Sequence, residues 1–121
     1  MKLKSLILAV LAVAFVAQAE AQQHPKREFR GAWIHTVHQK QYAAMTSEQT
    51  QAYLVNMVDS LQLAGINAIL WQIRPSADAL YPSELEPWSR YLTGTAGKAP
   101  DPMWDPLQFM IDECHKRGIA V

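Results

Sequence analysis

The stretch GINAILWQIRP, residues 65–75, decides the fold of this chain. Its apolar run, residues 66–73, is short and places apolar side chains on both faces of an extended backbone, as in a strand that is covered on both sides in a parallel sheet. Gly65 ends a preceding helix because it can adopt the left-handed conformation without a Cβ penalty. Pro75 cannot donate to a strand ladder and restricts its predecessor to an extended conformation. Arg74 is therefore expected to be the last strand residue, at the carboxyl end.

Upstream of this strand, the sequence predicts another buried strand and a helix. Residues 29–37 are rich in aromatic and β-branched side chains and predict the first strand, followed by a connector over residues 38–45. Thr46 and Gln49 have the spacing of a capping box and predict the start of a helix. The apolar stripe of this helix falls at helical spacing on Leu54, Met57, Val58 and Leu61.

Downstream of Pro75, a long loop precedes a second helix and the beginning of a third strand. Residues 75–101 show no sustained period, and loops longer than about 12 to 15 residues are often functional. Asp105 is expected to cap a helix that ends at Gly118, and residues 119–121 begin a strand. Pro106 stands at its first position, and its buried stripe is Leu107, Met110, Ile111 and Cys114.

The order β-α-β-α-β predicts an α/β fold with a parallel sheet and right-handed crossovers. A three-stranded start leaves exposed edges, and about 250 residues are typical of a closed (β/α)8 barrel. The 121 residues are therefore expected to be the opening of a parallel barrel that is incomplete in this chain.

The amino-terminal residues have the pattern of a secretory signal. Lys2 and Lys4 precede an apolar run over residues 6–17, which is shorter than the about 20 apolar residues of a membrane span. Cleavage is expected after Ala19 or Ala21, with Ala21 preferred, and the protein is then periplasmic or secreted. An uncleaved anchor or a buried helix is the alternative.

Composition excludes several classes of function. The chain has 11 basic and 11 acidic residues, and loss of the signal leaves this balance near neutral. Binding to nucleic acid or to a membrane surface usually shows a basic excess, so neither partner is expected. The single cysteine, Cys114, cannot form an internal disulfide. The absence of a glycine-rich phosphate loop and of a nucleophile elbow argues against nucleotide-binding and serine-hydrolase functions.

Arg74 is the sharpest candidate for a functional residue, because ligands of parallel α/β folds bind at the carboxyl ends of the strands. A guanidinium there suits a carboxylate, a cluster of sugar hydroxyls or a catalytic acid that needs orientation. An intramolecular salt bridge with Asp78 or Glu86 is the competing interpretation. Asp78 itself could orient substrate or cap the turn in which it lies.

Aromatic and histidine side chains accompany these strand ends. Tyr81, Trp88 and Tyr91 lie on one loop, where they could stack on sugar rings or fix the loop to the rim. His38 follows the first strand and is a candidate substrate contact by position. His35 and His38 would point to opposite faces of a strand, unlike the i, i+4 pair of a helical zinc site, so no metal site is predicted.

Three stretches together resemble a known family. They are residues 29–34 (FRGAWI), residues 72–75 (QIRP) with 78–82 (DALYP), and residues 85–95 (LEPWSRYLTGT) with Gly97. The chain resembles the family-10 glycosyl-hydrolase-like proteins over nearly all of its part after the signal.

The resemblance implies a (β/α)8 TIM-type barrel acting as an exported glycoside hydrolase on glycan, such as bacterial cell-wall glycan strands, without a cofactor. Arg74, Asp78 and the loop of residues 81–91 are expected to contribute to the cleft. Glycoside hydrolysis ordinarily needs two carboxyl groups, one protonated and one ionised. In similar barrels these come from later strands, so the main pair is expected beyond residue 121, and Asp78 is a secondary catalytic candidate.

Two other functions compete with this interpretation. A non-catalytic carbohydrate-binding protein would keep the barrel and the aromatic loop but lack the acids. A self-contained interaction domain ending at Val121 would unfold cooperatively by itself, which is not expected. The predicted organisation is a signal at residues 1–21, a polar lead at residues 22–28 and the start of the barrel domain at residues 29–121.

Overall fold

The computed structural model describes residues 28–121, and the predicted signal, residues 1–21, lies outside this range. The described part is a mixed α/β structure with a small parallel sheet. Strands β1 and β2 pair in parallel with Gly31 opposite Ala68 and Ile34 opposite Trp71. The elements in chain order are β1 (Gly31–Ile34), α1 (Gln41–Ala44), α2 (Ser47–Leu63), β2 (Ala68–Trp71), α3 (Arg90–Thr93) and α4 (Pro106–His115).

Helix α2 begins and ends as its sequence predicts. The Thr46 hydroxyl accepts a hydrogen bond from the Gln49 backbone N–H at 3.2 Å, and the Gln49 side chain accepts from the Thr46 N–H at 2.9 Å. This capping box satisfies two backbone donors that a helix start leaves unpaired. Gly65 follows the helix with a φ of +81°, a conformation that favours glycine. Leu54 and Val58 are buried on the predicted stripe.

Helix α4 is confirmed in its cap, whereas only two of the four residues of its predicted stripe are buried, because Leu107 and Ile111 remain half-buried. The Asp105 carboxylate accepts from the N–H groups of Leu107 and Gln108 at 3.0 and 3.1 Å. Met110 and Cys114 are completely buried against α2 and the sheet. The core thus lies between the two long helices and one face of the sheet; its buried members are Ile34, Tyr42, Leu54, Val58, Ile69, Met110, Cys114 and Ile119.

Both strands are shorter than predicted, because side chains replace backbone groups at their ends. The prediction that Arg74 is the last strand residue is wrong: β2 ends at Trp71, and Arg74 stands at the tip of the three-residue segment that follows it. The Asn67 side chain accepts from the Arg30 N–H at 2.8 Å before β1 begins. After β1, the Thr36 N–H is bound by the Gln72 side chain instead of a backbone carbonyl. The predicted third strand is present only as a parallel bridge between Ala68 and Ala120.

Two short helices that the sequence analysis missed organise the predicted loops. Helix α1 lies in the connector after β1, and α3 lies within residues 75–101. Ser89 caps α3 by accepting from the Tyr91 N–H at 3.3 Å, and Gly94 ends it with a φ of +83°. Four residues are too few to show a helical period, so neither helix could be recognised from apolar spacing.

The other face of the sheet has no covering layer within residues 28–121. Trp33 of β1 is 64% exposed and Leu70 of β2 is 45% exposed, whereas Ile34 and Ile69 on the helix side are buried. Within the same part of the chain, no helix combines the length and apolar character needed to cross a bilayer.

Candidate functional site

Gln72 joins the two strand ends at the carboxyl edge of the sheet. Its side-chain oxygen accepts from the backbone N–H groups of Thr36 and Val37 at 3.0 and 3.3 Å. The Thr36 hydroxyl, which is fully buried, donates to the Gln72 carbonyl at 2.6 Å. These bonds hold the segment after β1 against the end of β2. This role of Gln72 was not predicted from the sequence, although a polar residue in an apolar strand was a signal for it.

Arg74 forms an ion pair with Glu86, one of the two partners that the sequence analysis left open. Its Nε donates to the Glu86 carboxylate at 2.7 Å, and a second guanidinium nitrogen donates to the other carboxylate oxygen. The Arg74 side chain is 57% exposed, whereas that of Glu86 is 17% exposed. Glu86 lies within the aromatic loop, residues 81–91. The pair therefore brings Arg74, which follows β2, and this loop to the same end of the sheet.

Asp78 is buried in the turn that follows the tip of β2. Its carboxylate accepts from the Ser76 backbone N–H, two residues earlier in the chain, at 3.0 Å, and this bond closes the turn. Ala77 between them has a φ of +54°, which L-residues adopt rarely. Asp78 therefore has a structural contact in the described chain, and its catalytic role stays a prediction.

The aromatic loop is fixed by backbone hydrogen bonds around Trp88. The Ala79 N–H donates to the Pro87 carbonyl at 2.9 Å, and the Ser89 N–H donates to the Ala79 carbonyl at 2.8 Å. Ala79 and Leu80 are completely buried, whereas the predicted sugar contacts Tyr81 and Trp88 are half-buried. The loop is consequently a defined surface with partly accessible aromatic side chains.

Tyr91, the third predicted aromatic contact, is paired with its neighbour Arg90. The Arg90 guanidinium carbon lies 5.1 Å from the ring centroid, and a guanidinium nitrogen donates to the phenol oxygen at 3.2 Å. This hydrogen bond is the main cause that lowers the pKa of Tyr91. Because a cation covers one side of the ring, a sugar could stack on Tyr91 only from the other side.

The two histidines after β1 are both exposed. His38 has a φ of +66° and stands at a tight turn in which the Gln39 N–H donates to the Thr36 carbonyl at 3.0 Å. The His35 Nε2 lies 2.7 Å from the side-chain nitrogen of Gln39. No cluster of three or more possible metal ligands occurs among residues 28–121.

A cavity of about 210 Å³ lies between the start of α2 and the segment around Lys98. The hydroxyl groups of its wall are used within the protein: Ser47 donates to the Pro102 carbonyl at 3.1 Å and Thr50 donates to the Thr46 carbonyl at 3.0 Å. The cavity therefore offers no unpaired hydroxyl donor from these two residues.

The strand ends thus combine a guanidinium, partly exposed aromatic rings and a buried carboxylate on one rim. The family model described as glycosyl hydrolase-like 10 matches residues 28–121. The chain belongs to this family. The resemblance inferred from its three sequence stretches is confirmed, and the stretches lie in β1, at the end of β2 and in the aromatic loop.

Two curated relatives align with most of this chain. It is 44% identical to glycosyl hydrolase YngK of Bacillus subtilis over 123 residues, an alignment that covers 97% of this chain and 23% of that protein. It is 37% identical to glycosyl hydrolase DigH of Escherichia coli K12 over 109 residues, which is 82% of this chain and 24% of that protein. The chain therefore spans about a quarter of the length of these relatives.

Proposed function

We propose that this chain forms the first β/α units of an exported (β/α)8 glycoside hydrolase whose substrate is glycan, with bacterial cell-wall glycan strands as the expected form. Membership of the glycosyl hydrolase-like 10 family supports the reaction class. The export step rests on the pattern of residues 1–21, and the polymeric substrate rests on the open, aromatic character of the rim.

The observation that carries the proposal is the ion pair between Arg74 and Glu86. It ties the tip of β2 to a loop with half-buried aromatic rings, so that charged and aromatic groups share the carboxyl edge of a parallel sheet. Enzymes built from parallel β/α units place their active sites at this edge. Flat rings beside polar groups suit a sugar, which has an apolar ring face and a hydroxylated rim.

The barrel part of the proposal is supported by the uncovered face of the sheet. Trp33 and Leu70 are large apolar residues that remain 64% and 45% exposed among residues 28–121. Side chains on the inner face of a closed barrel pack against those of the other strands. Additional β/α units of a longer protein would cover these two residues and would leave the carboxyl edge open.

The chemistry requires two carboxyl groups, one to protonate the leaving oxygen and one to act as nucleophile or base. Asp78 is bonded to a backbone N–H, and Glu86 is held by Arg74. We therefore assign the principal acid and nucleophile to strands beyond residue 121. Arg74, Tyr81, Trp88, Tyr91 and His38 are proposed to bind and orient the glycan.

A non-catalytic carbohydrate-binding protein is the second candidate. Asp78 and Glu86 are both engaged in local contacts, so the carboxyl groups of the later strands decide between this function and hydrolysis. This function keeps the same rim and the same sugar contacts but predicts binding without bond cleavage.

The test uses the longest natural form of the protein that contains these residues. It is incubated with purified cell-wall glycan strands, either bearing stem peptides or freed of them, and new reducing ends are measured together with glycan binding. Release of reducing ends is expected, and Arg74→Ala is expected to diminish it. Binding without release would establish the second candidate, and neither binding nor release would refute both.

A further inference from the structure

His35 lies on the uncovered face of the sheet, at its carboxyl end. Exposure alternates from residue 33 to residue 36: Trp33 and His35 are exposed, whereas Ile34 and Thr36 are buried. Successive side chains of an extended chain point to opposite faces, so His35 shares a face with Trp33. His38 was the substrate contact predicted from the sequence, where His35 was considered only for a metal site.

The register places the neighbours of His35 on the same face. Ile34 pairs with Trp71, and the Gln72 N–H donates to the Ile34 carbonyl at 2.8 Å, so the extended pairing continues past both strands. Leu70 is exposed on β2, and Arg74 follows it at an even spacing. Continued by one position, the register places His35 opposite Gln72 at the carboxyl end of this face, and Arg74 follows Gln72 two residues later in the chain.

The His35 ring is held by a short relay of side-chain amides. The Gln41 side-chain nitrogen donates to the Gln39 side-chain oxygen, which leaves the Gln39 nitrogen facing the His35 Nε2 at 2.7 Å. An amide nitrogen can only donate, so Nε2 is the acceptor of this bond. In a neutral imidazole the proton is then on Nδ1. No side chain among residues 28–121 accepts a hydrogen bond from this Nδ1–H.

We infer that His35 contacts the substrate and donates its Nδ1–H to an oxygen of a bound sugar, a hydroxyl, an acetamido carbonyl or a carboxylate. Gln39 is a positioning residue, because it fixes the ring and its tautomer before the sugar arrives. This inference rests on the proposed glycan site and adds a residue to it. A donor that is oriented in advance loses less conformational freedom on binding than a mobile side chain.

The experiment compares variants in the longest natural form of the protein with soluble cell-wall glycan strands. His35→Ala is expected to raise KM by roughly three- to tenfold with little change in kcat, the effect of one neutral hydrogen bond. His35→Asn keeps an amide donor on a short side chain and is expected to recover at least half of this loss on a logarithmic scale. His115→Ala, an exposed histidine at the end of α4, is the matched control and should leave KM unchanged.

A second measurement reports on the relay without using activity. The ¹⁵N NMR spectrum of the His35 imidazole is expected to show the Nδ1–H tautomer in the wild type and a mixture of tautomers in Gln39→Ala. A dominant Nε2–H tautomer in the wild type would overturn the inference. An active wild type whose KM is unaffected by His35→Ala would also overturn it while leaving the proposed function intact.

If the wild type binds glycan without cleaving it, the dissociation constant replaces KM in the same comparison. A wild type that neither binds nor cleaves glycan would refute the proposed function, and the role of His35 in glycan binding would fall with it.

Discussion

Removing the Arg74 guanidinium tests whether the ion pair with Glu86 organises the rim. Arg74→Ala leaves a carboxylate that is 17% exposed without its bidentate partner. Exposed ion pairs contribute about 0.2 to 1 kcal/mol, and the 57% exposure of Arg74 means that solvent screens this one. Because the guanidinium binds both carboxylate oxygens, the contribution of this pair should lie at the upper end of that range. We therefore expect a coupling free energy of about 1 kcal/mol between Arg74 and Glu86.

The effect on activity should be larger than this loss of stability. The pair connects the tip of β2 to the aromatic loop, and a displacement of about 1 Å in a substrate-positioning element can lower activity by about a hundredfold. We therefore expect Arg74→Ala to reduce glycan hydrolysis by about 10- to 100-fold, while the free energy of unfolding falls by about 1 kcal/mol.

The assay is a double-mutant cycle of Arg74→Ala and Glu86→Ala, measured by urea unfolding and by release of reducing ends. If Arg74 acts only by holding the loop, both single variants and the double variant lose activity equally. If Arg74 also binds glycan, Glu86→Ala keeps more activity than Arg74→Ala. Arg30→Ala is the control at the opposite end of the strands: Arg30 is 47% exposed, pairs with Glu28 and also donates to the Gly65 carbonyl, so this variant should lower stability without lowering activity.

Two results would refute this reasoning. A coupling free energy near zero would show that the pair contributes nothing measurable in solution. The second result is that Arg74→Ala lowers the transition-state stabilisation and the free energy of unfolding by the same amount. Arg74 would then be a structural ion-pair partner with no particular role in glycan processing.

The remaining predictions concern stability and are read by urea unfolding. Thr46→Ala removes the capping box of α2 and should cost about 1 kcal/mol, whereas Thr46→Ser should cost less. Met110→Ala leaves a cavity at a fully buried position and should lower the free energy of unfolding by about 2 to 5 kcal/mol. Met103 is exposed, so Met103→Ala should lower it by less than about 0.5 kcal/mol. Burial raises the pKa of Cys114 from 9.0 to about 11. The folded state keeps the thiol proton up to a higher pH than the unfolded chain does. The free energy of unfolding should therefore fall as the pH rises from 9 to 11, and Cys114→Ala should make this fall smaller.

The sequence alone determined the two long helices and the parallel strand order. Thr46 with Gln49 marks one helix start and Asp105 marks the other, through bonds that reach only two or three residues along the chain. Pro106 suits the first helical position because it has no N–H to pair. Such contacts are encoded locally, so they could be predicted without knowing the tertiary structure. The family likeness could be inferred for a similar reason, since it depends on contiguous stretches of residues.

Only the tertiary structure decided which partners meet at the rim. The sequence placed Arg74 at a strand tip but left both Asp78 and Glu86 as partners, and the choice of Glu86 depends on how a loop of many residues returns to the sheet. The bond from Gln72 to the Thr36 N–H joins residues 36 positions apart, and it also ended β1 earlier than its apolar pattern predicted. Contacts of this kind depend on the packing of distant segments, which no local period or spacing records.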